Sequence, residues 1–423
     1  MERLYHPTGL DTVENVEGYR PGGYHPVHLG DTLDGRYRIL HKLGAGGFST
    51  TWLARDMVSD TYRALKILKA GETTLSTELQ TLRTLGEIQS SDPGKAHIRH
   101  LIDHFTVQGP NGEHRCIVTD VAGPSVKTLY NDPEHEYNAG ARRLRVDIAH
   151  KIAKQVVEAV HFLHSHQQCH GDLTLSNVLF KLKPIDDWTE EQIFARFGPP
   201  RTHKLVLASG ADPGESAPRY VVEPACRPDA KYLTHDALLV DFGEAFRFDN
   251  APQARDIGIP LMYRAPETIF ESKFTSASEI WSLGCLLFEI RAGDPLFKGF
   301  MGGCDEILWQ MVQTKGKLPE RWWDAWDKKS SWFQDNGKPL KEWPNGRVMA
   351  VEVPIQEAIE EIGCYDHDAA MFGTEVSLLE PKDMKVPSDE AENMRDLLEG
   401  TLRWEPGDRM SVTQVLQHRW ISE

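Results

Sequence analysis

Two polar residues five positions apart, Asp172 and Asn177, stand out in the segment HGDLTLSNVLF at residues 170–180. A carboxylate in such a loop can accept the proton of an attacking hydroxyl, and an amide oxygen can bind a hard cation such as Mg²⁺. Asp241, in the segment LLVDFGE, offers a carboxylate for a cation that bridges the phosphates of a nucleotide. These residue types predict transfer of a phosphoryl group from Mg²⁺-bound ATP to a hydroxyl.

A glycine-rich segment, LGAGGFSTTWL at residues 43–53, precedes these groups in the chain. Its glycines permit backbone N–H groups to approach phosphate oxygens closely. Lys66 follows in the strand-like run YRALKIL, from which an amine can reach the α- and β-phosphates. A glycine-rich hairpin and a strand lysine each occur commonly without such a role. The order of all the motifs along the chain therefore supports a nucleotide site more strongly than either motif alone.

Lys66 needs an acidic partner that holds its orientation, and we expect that partner on the next helix. Residues 75–88 carry leucines at helical spacing, which predicts an amphipathic helix. Glu78 is the predicted partner, because the leucines that follow it would then pack into the lobe. Glu72 is the weaker alternative, since an acid there is also typical of a helix start.

Motifs downstream of residue 241 decide between two classes of acceptor. Small-molecule kinases that resemble the aminoglycoside and choline kinases also have an HGD loop. This chain continues with YRAPE, ending at Glu267, with EIWSLGC at residues 279–285, and with LRWEPGDRM, which contains Arg409. Glu267 and Arg409 are predicted to form a structural ion pair that supports a platform for a peptide. The sequence therefore predicts a protein substrate.

The elements that must position these residues divide into two lobes. Residues 1–36 are predicted to form an irregular N-terminal extension, and residues 37–122 a small β-rich N-lobe. Residues 123–423 are mainly helical and form the predicted C-lobe, with an insertion at about 183–230. That insertion is rich in proline and glycine and lacks periodicity, so we expect it to be partly ordered at best. The fold class is α+β, with the bilobal architecture of a eukaryotic protein kinase.

The chain resembles the SR-protein kinases, in the group that also contains the cyclin-dependent kinases. GGYHPVHLGD at residues 22–31, GGFSTTWLARD, SDPGKAHIRHLIDHF and GPNGEHRCIVTDVAG carry the likeness, as does an insertion before DFG. The resemblance implies phosphorylation of serine in basic, Arg/Ser-rich segments. It also implies that Thr119 is the gatekeeper and that Asp120 and Ala122 present backbone groups to adenine. The implied nucleotide-binding set is Leu43, Gly44, Gly46, Ser49, Thr51, Ala64, Lys66, Thr119, Asp120 and Ala122.

The catalytic loop departs from the usual kinase pattern in two places. Gly171 stands where many kinases have an arginine that binds a phosphate on the activation segment. We therefore predict activity without that phosphorylation, as in the resembled family. Thr174 stands where serine/threonine kinases have a lysine near the γ-phosphate, and Pro260 replaces the threonine which that lysine contacts. Glu279 replaces the aspartate that binds the loop backbone, which would shift the loop slightly.

These departures leave two alternatives to an active serine/threonine kinase. The missing lysine together with Pro260 also occurs in tyrosine kinases, so tyrosine or dual specificity is one of them. A pseudokinase that acts as a scaffold is the other. Retention of Lys66, Asp172, Asn177 and Asp241 speaks against a scaffold, because binding of partners requires none of them. Loss of the positive charge of the missing lysine would raise the activation barrier for phosphoryl transfer by about 3 kcal/mol. Transfer would then be slower but not abolished.

The composition limits the partners. The 423 residues carry a net charge of −16, which argues against nucleic acid and favours a basic protein substrate. Asp305 and Glu306 lie near the position of the resembled family's acidic docking groove, although two solvated acids at a helix start explain them equally well. Six scattered cysteines and an N-terminus without an apolar run predict a protein of the cytoplasm and nucleus, with no membrane partner. We expect a monomer.

Overall fold

The computed structural model describes residues 3–6, 8–10, 12–73, 77–130, 142–251, 258–299, 303–340, 350–364, 366 and 377–423. The chain folds into two compact units. The first comprises Met1–Gln89, Arg99–Pro124 and Lys181–Thr234, and the second comprises Ser90–Ile98, Ser125–Phe180 and His235–Glu423. The α+β class predicted from the sequence is confirmed, since strands dominate the first unit and helices the second.

An antiparallel sheet forms the centre of the first unit. Among the described residues it has six strands in the order β1-β2-β3-β4-β6-β5. Alternating apolar side chains from these strands, including Tyr37, Trp52 and Leu65, build a core that is almost inaccessible to water. The strands are β1 (Thr32–Leu33), β2 (Tyr37–Ala45), β3 (Ser49–Asp56), β4 (Thr61–Leu68), β5 (Asp103–Gly109) and β6 (Gly112–Thr119).

Helix α1 (Glu78–Glu87) also belongs to the first unit. It buries Leu82 and Leu85, in line with the predicted helical spacing. Leu75, the first residue of the predicted helix, lies outside the described residues.

The insertion belongs to the first unit, whereas the sequence analysis assigned it to the C-lobe. It contains α4 (Glu190–Phe197), and a capping box between Thr189 and Gln192 begins this helix. It also contains an antiparallel pair of strands, β10 (Thr202–Lys204) and β11 (Tyr220–Val222). Apolar side chains spaced widely along the insertion enter two clusters shared with the extension and the sheet strands. Burial of these side chains stabilises a segment whose local pattern predicts little structure.

Helices form the second unit. Helix α3 is amphipathic and buries Ile152, Val156 and Leu163, whereas α6 is buried along nearly its whole length. The helices are α2 (Val126–Tyr130), α3 (Val146–Ser165), α5 (Pro266–Phe270), α6 (Ser276–Ala292), α7 (Cys304–Lys315), α8 (Glu320–Ala325), α9 (Ile355–Glu360), α10 (Ser388–Thr401), α11 (Val412–Gln417) and α12 (Arg419–Ser422). No helix in the described part of the chain is long and apolar enough to cross a bilayer.

The remaining strands are short. They are β7 (Ala122–Ser125), β8 (Gln168–Cys169), β9 (Val178–Leu182), β12 (Leu233–Leu239) and β13 (Phe246–Arg247). Within the second unit, β8 pairs with β13, which brings the residues before the HGD loop beside the residues after DFG.

Candidate active site

In the catalytic loop of the second unit, the side chain of Asn177 holds Asp172 in place. Asn177 ends a 3-10 turn, and its Nδ2 donates to the carbonyl oxygen of Asp172 at 2.9 Å and to Asp172 Oδ2 at 2.8 Å. The amide nitrogen is thereby committed to Asp172. The side-chain oxygen of Asn177 is consequently the atom that can bind a cation.

Asp172 retains one buried oxygen for a ligand. Among the described residues, Asp172 Oδ1 is inaccessible to solvent and has no hydrogen-bond partner. Burial raises the pKa of this carboxyl and the nearby Asp241 adds to the rise, while His170 and Asn177 oppose it. A buried, unpartnered carboxylate oxygen with a raised pKa suits a group that accepts a proton from a bound hydroxyl.

Asp241 is positioned by hydrogen bonds between the catalytic loop and the strand before DFG. The N–H of Val240 donates to the carbonyl oxygen of Asn177 at 2.9 Å, and His170 Nε2 bonds the Val240 carbonyl at 3.0 Å. Asp241 has a φ of +65°, a left-handed conformation that aspartate adopts more readily than most residues. These contacts bring Asp241 to the same edge of the second unit as Asp172 and Asn177.

The donor set fits a hard divalent cation. Asp241 and Asn177 offer a carboxylate and an amide oxygen, the ligand types that Mg²⁺ accepts while it keeps several waters. When bound, such a cation neutralises developing charge on the nucleotide phosphates. At Asp172 Oδ1, the chain offers a group that would orient an acceptor hydroxyl and take up its proton.

Lys66 and Glu78 form the expected ion pair in the first unit. Lys66 Nζ lies 2.7 Å from Glu78 Oε2, and the Glu78 side chain is only 6% exposed. Strand β4 presents Lys66 opposite Thr51 on β3, and Glu78 is the first residue of α1. The alternative partner, Glu72, lies in a separate 3-10 turn (Ala70–Glu72). The pair fixes the amine in the orientation that a phosphate-binding lysine requires.

The remaining nucleotide-site predictions also fall in the first unit. Leu43, Gly44, Gly46, Ser49 and Thr51 lie on the β2–β3 hairpin, where Gly44 is opposite Thr51. Ala64 of β4 is paired with Thr119 at the end of β6, and Ala122 begins β7.

Arg99 contacts two of the predicted adenine-site residues. Sequence reasoning did not identify Arg99 itself. Its Nη1 donates to Thr119 Oγ1 at 3.0 Å and to the Asp120 carbonyl oxygen at 2.6 Å. The Asp120 carboxylate pairs separately with Arg63 at 3.2 Å. Thr119 Oγ1 also donates to the Asp120 carbonyl oxygen, at 3.4 Å, so two donors of the chain itself contact this atom.

Glu279 anchors the catalytic loop in spite of the extra methylene compared with aspartate. Its Oε1 accepts from the Gly171 N–H at 2.8 Å, and its Oε2 lies 2.7 Å from His164 Nε2. Burial alone would raise the pKa of Glu279, but the hydrogen bond and charge of His164, with the Gly171 N–H, outweigh it and lower the pKa. Sequence reasoning missed His164, which lies eight positions before Asp172 at the end of α3.

Glycine fits position 171 for a conformational reason as well. Gly171 has a φ of +83°, and a Cβ added to it would lie 2.1 Å from the carbonyl oxygen of Glu244. The departure from arginine at this position is therefore consistent with the loop conformation seen here.

The platform residues form a buried bidentate ion pair. Arg409 Nη1 and Nη2 each lie 2.7 Å from an oxygen of Glu267, and both side chains are 4% exposed or less. Ser278 Oγ donates to the same carboxylate at 2.7 Å, which secures Glu267 against α6. The segment YRAPE is thus fixed to the helical core.

A further buried carboxylate, Glu289, joins three elements of the second unit. It accepts from Tyr263 and from Lys127 Nζ, the latter at 2.9 Å, while the Leu175 N–H donates to Tyr263 Oη at 3.4 Å. This network links α2, the YRAPE segment and the catalytic loop. The sequence offered no signal for it, because Glu289 lies within an apolar helix and has no motif of its own.

The comparisons with known proteins agree with this geometry. The protein kinase domain matches residues 37–188 and 233–421, so the chain belongs to the protein kinase family. The insertion lies almost entirely in the gap between these two segments.

Similarity to individual proteins indicates which class of protein kinase the chain resembles. A serine/threonine-protein kinase SRPK from Physarum polycephalum is 27% identical over 97% of this chain and 91% of its own length. A serine/threonine protein kinase from Aspergillus fumigatus is 27% identical over 96% and 90%, and protein kinase dsk1 from Schizosaccharomyces pombe is 26% identical over 79% and 77%. The chain is a divergent SRPK-like serine/threonine protein kinase, which excludes the small-molecule kinases and disfavours the scaffold alternative.

Proposed function

We propose that this kinase uses MgATP to phosphorylate serine or threonine hydroxyls of proteins, in basic Arg/Ser-rich segments. The observation that carries the proposal is the similarity to a kinase named SRPK over 97% of the chain. The net charge of −16 supports a basic substrate, because an acidic protein attracts arginine-rich chains over long range. Mg²⁺ is proposed as the cation on the strength of the carboxylate and amide oxygens of Asp241 and Asn177.

Asp305, one of the two acids near the expected position of a docking groove, is engaged within the chain. Asp305 accepts from Trp326 Nε1 at 2.9 Å and from Lys328 Nζ at 2.6 Å. Lys328 is 65% exposed, so a substrate arginine would compete with a solvent-exposed lysine for this carboxylate. Arginine can form a bidentate contact with a carboxylate where lysine forms a point contact, which favours exchange.

We also propose that activity does not depend on phosphorylation of the activation segment. The described ends of that segment are held by contacts of the chain itself. Glu244 Oε2 accepts from the Gly258 N–H at 3.2 Å, and Arg264 Nε donates to the Ile259 carbonyl oxygen at 3.0 Å. With glycine at 171 there is no loop arginine to bind a phosphate.

The remaining expectations concern the setting of the enzyme. We propose a monomer that acts in the cytoplasm and nucleus. Six free cysteines, scattered without pairing, support a reducing compartment.

The substrate proposal is tested with three peptides of equal length that contain Arg/Ser, Lys/Ser or Glu/Ser repeats, using labelled ATP and Mg²⁺. We expect the Arg/Ser peptide to be phosphorylated on serine, with kcat/KM about tenfold or more above the Lys/Ser peptide, because bidentate charged hydrogen bonds are lost with lysine. An Asp241→Asn variant, which preserves a residue tolerant of the left-handed backbone, serves as the inactive control. Equal rates on the Glu/Ser peptide would contradict the proposal, and phosphotyrosine in the product would favour tyrosine or dual specificity.

Independence from phosphorylation has its own test. Enzyme treated with a phosphatase, and shown by mass spectrometry to carry no phosphate at residues 241–267, should retain the kcat of untreated enzyme. A large loss of kcat that returns on rephosphorylation would refute this part of the proposal.

A further inference from the structure

The N-terminal extension makes a direct bond to the tip of the glycine-rich hairpin. Tyr24, in the segment GGYHPV, is 2% exposed, and its hydroxyl donates to the carbonyl oxygen of Gly46 at 2.7 Å. Gly46 itself is exposed and lies in the turn between β2 and β3. Both residues belong to the first unit, so the bond is internal to that unit.

Besides the Tyr24 hydroxyl, the tip has a backbone contact from outside the hairpin, because the Lys69 N–H donates to the Phe48 carbonyl oxygen at 2.9 Å. A Cβ placed on Gly44, Gly46 or Gly47 would meet no described atom within 4 Å, so the space beside these three glycines is open. The turn is closed by a backbone hydrogen bond from Gly46 to Ser49 at 2.9 Å. Because glycines lose the most conformational freedom on ordering, an external hydrogen bond has a large influence on the position of such a tip.

Tyr24 is itself held firmly. Its ring packs on Gly18, where an added Cβ would lie 2.5 Å from the ring, and the Lys69 ammonium lies 4.3 Å from the ring centroid. Asn111 Nδ2 donates to the Tyr24 carbonyl oxygen at 2.7 Å and to the Ser216 carbonyl at 2.6 Å, which joins the extension to the insertion. A hydroxyl fixed in this way can restrain the loop to which it bonds.

A second tether reaches the base of the same hairpin. Glu14 of the extension forms an ion pair with Lys42, the residue before the glycine-rich segment, and both side chains are 1% exposed or less. Tyr19 donates to the same carboxylate, and the Ala225 N–H of the insertion donates to the Lys42 carbonyl at 2.8 Å. The extension and the insertion thus hold the hairpin at its base, and Tyr24 holds its tip.

We propose that Tyr24 is a positioning residue for the nucleotide: its hydrogen bond to Gly46 holds the glycine-rich turn in the conformation that receives the phosphates. The extension thereby becomes part of the ATP site through its contact with the glycine-rich turn. The idea is independent of which protein the kinase phosphorylates.

The test compares two isosteric variants of full-length enzyme. Tyr24→Phe removes the hydroxyl that bonds Gly46. Tyr5→Phe is the matched control, because Tyr5 lies in the same buried cluster and its hydroxyl bonds the Tyr19 carbonyl at 3.3 Å instead of the hairpin. We expect Tyr24→Phe to raise both the KM and the equilibrium dissociation constant for MgATP about three- to tenfold, the factor for one net hydrogen bond, with a smaller change in kcat. Tyr5→Phe should leave both constants unchanged.

Hydrogen exchange supplies a measurement that a general loss of stability would not reproduce. Amides of residues 44–48 should exchange faster in Tyr24→Phe than in wild type or Tyr5→Phe, while amides of the β4 core should not. Gly18→Ala, which pushes the Tyr24 ring aside, should give the same pattern. An unchanged MgATP affinity in Tyr24→Phe, or an equal loss of affinity in Tyr5→Phe, would overturn the proposal. Because nucleotide binding is measured without a protein substrate, failure of the Arg/Ser proposal would not affect this result.

Discussion

An Asp172→Asn variant is expected to lose about 10²- to 10⁴-fold in kcat, the usual contribution of a positioned general base. The structure gives the reason, since Asp172 Oδ1 is buried, lacks a partner among the described residues and is available to a hydroxyl. Asparagine keeps the size of the side chain, and its amide oxygen can still accept from Asn177 Nδ2, but it cannot take up a proton. The measurement is kcat on a saturating protein or peptide substrate.

The fold of this variant should survive. The pKa of Asp172 is raised in the folded protein, chiefly by burial, so ionisation of this carboxyl lowers the free energy of unfolding as the pH rises above the usual aspartate range. Replacement by a neutral isostere should therefore leave the thermal midpoint unchanged or higher. Asp396→Asn, at a carboxylate that is 73% exposed on α10, is the control and should alter neither kcat nor the midpoint. Retention of kcat within a few fold in Asp172→Asn would exclude a role as base.

The same group should set the acid side of the pH profile. Asp172 must be ionised to accept a proton, and its pKa lies above the usual aspartate value of 3.8. Wild-type kcat should consequently fall as the pH drops through this raised pKa. The residual activity of Asp172→Asn should lack that decline, and an identical acid limb in both enzymes would assign it to another group.

Individual contacts among the candidate site residues could be predicted from the sequence where a motif or a helical repeat fixes the local geometry. Asp172 and Asn177 lie in one short loop, and Lys66 lies on a strand whose register is set by the apolar alternation of β4. Glu78 could be selected because a helical repeat followed it directly. The pairing of Glu267 with Arg409 was inferred across a long separation, which local spacing alone could not have given.

The extension and the insertion could not be predicted in this way. Glu14 appears in the sequence as one acid among many polar residues, yet it is buried against Lys42. The insertion has neither helical nor alternating periodicity, and its stability depends on side chains such as Phe197 and Val221 that meet residues far away in the chain. Hydrophobic burial between distant segments leaves no local pattern, so sequence reasoning expected partial order.

Truncating Arg409 is expected to cause the largest loss of stability. In Arg409→Ala, the Glu267 carboxylate would remain buried with Ser278 Oγ still donating to it, and the carbonyl oxygens of Arg403, Trp404 and Ala277 would lose the hydrogen bonds that Arg409 donates. Removal of one partner of a buried ion pair costs about 3–5 kcal/mol because the other charge stays in the interior. The measurement is the free energy of unfolding of the second unit in denaturant.

An exposed pair of the same geometry provides the matched control. Arg321 also binds a carboxylate in bidentate fashion, at 2.6 and 2.8 Å from Glu405, but these side chains are 47% and 45% exposed. Arg321→Ala should therefore cost about 1 kcal/mol or less, as solvent screens both charges. The double variant Glu267→Leu/Arg409→Met should recover part of the loss, since it leaves no unpaired charge. If Arg409→Ala cost no more than Arg321→Ala, burial would not be what makes the Glu267–Arg409 pair important, and packing together with the Ser278 and Ser282 hydrogen bonds would suffice to hold the YRAPE segment to α6.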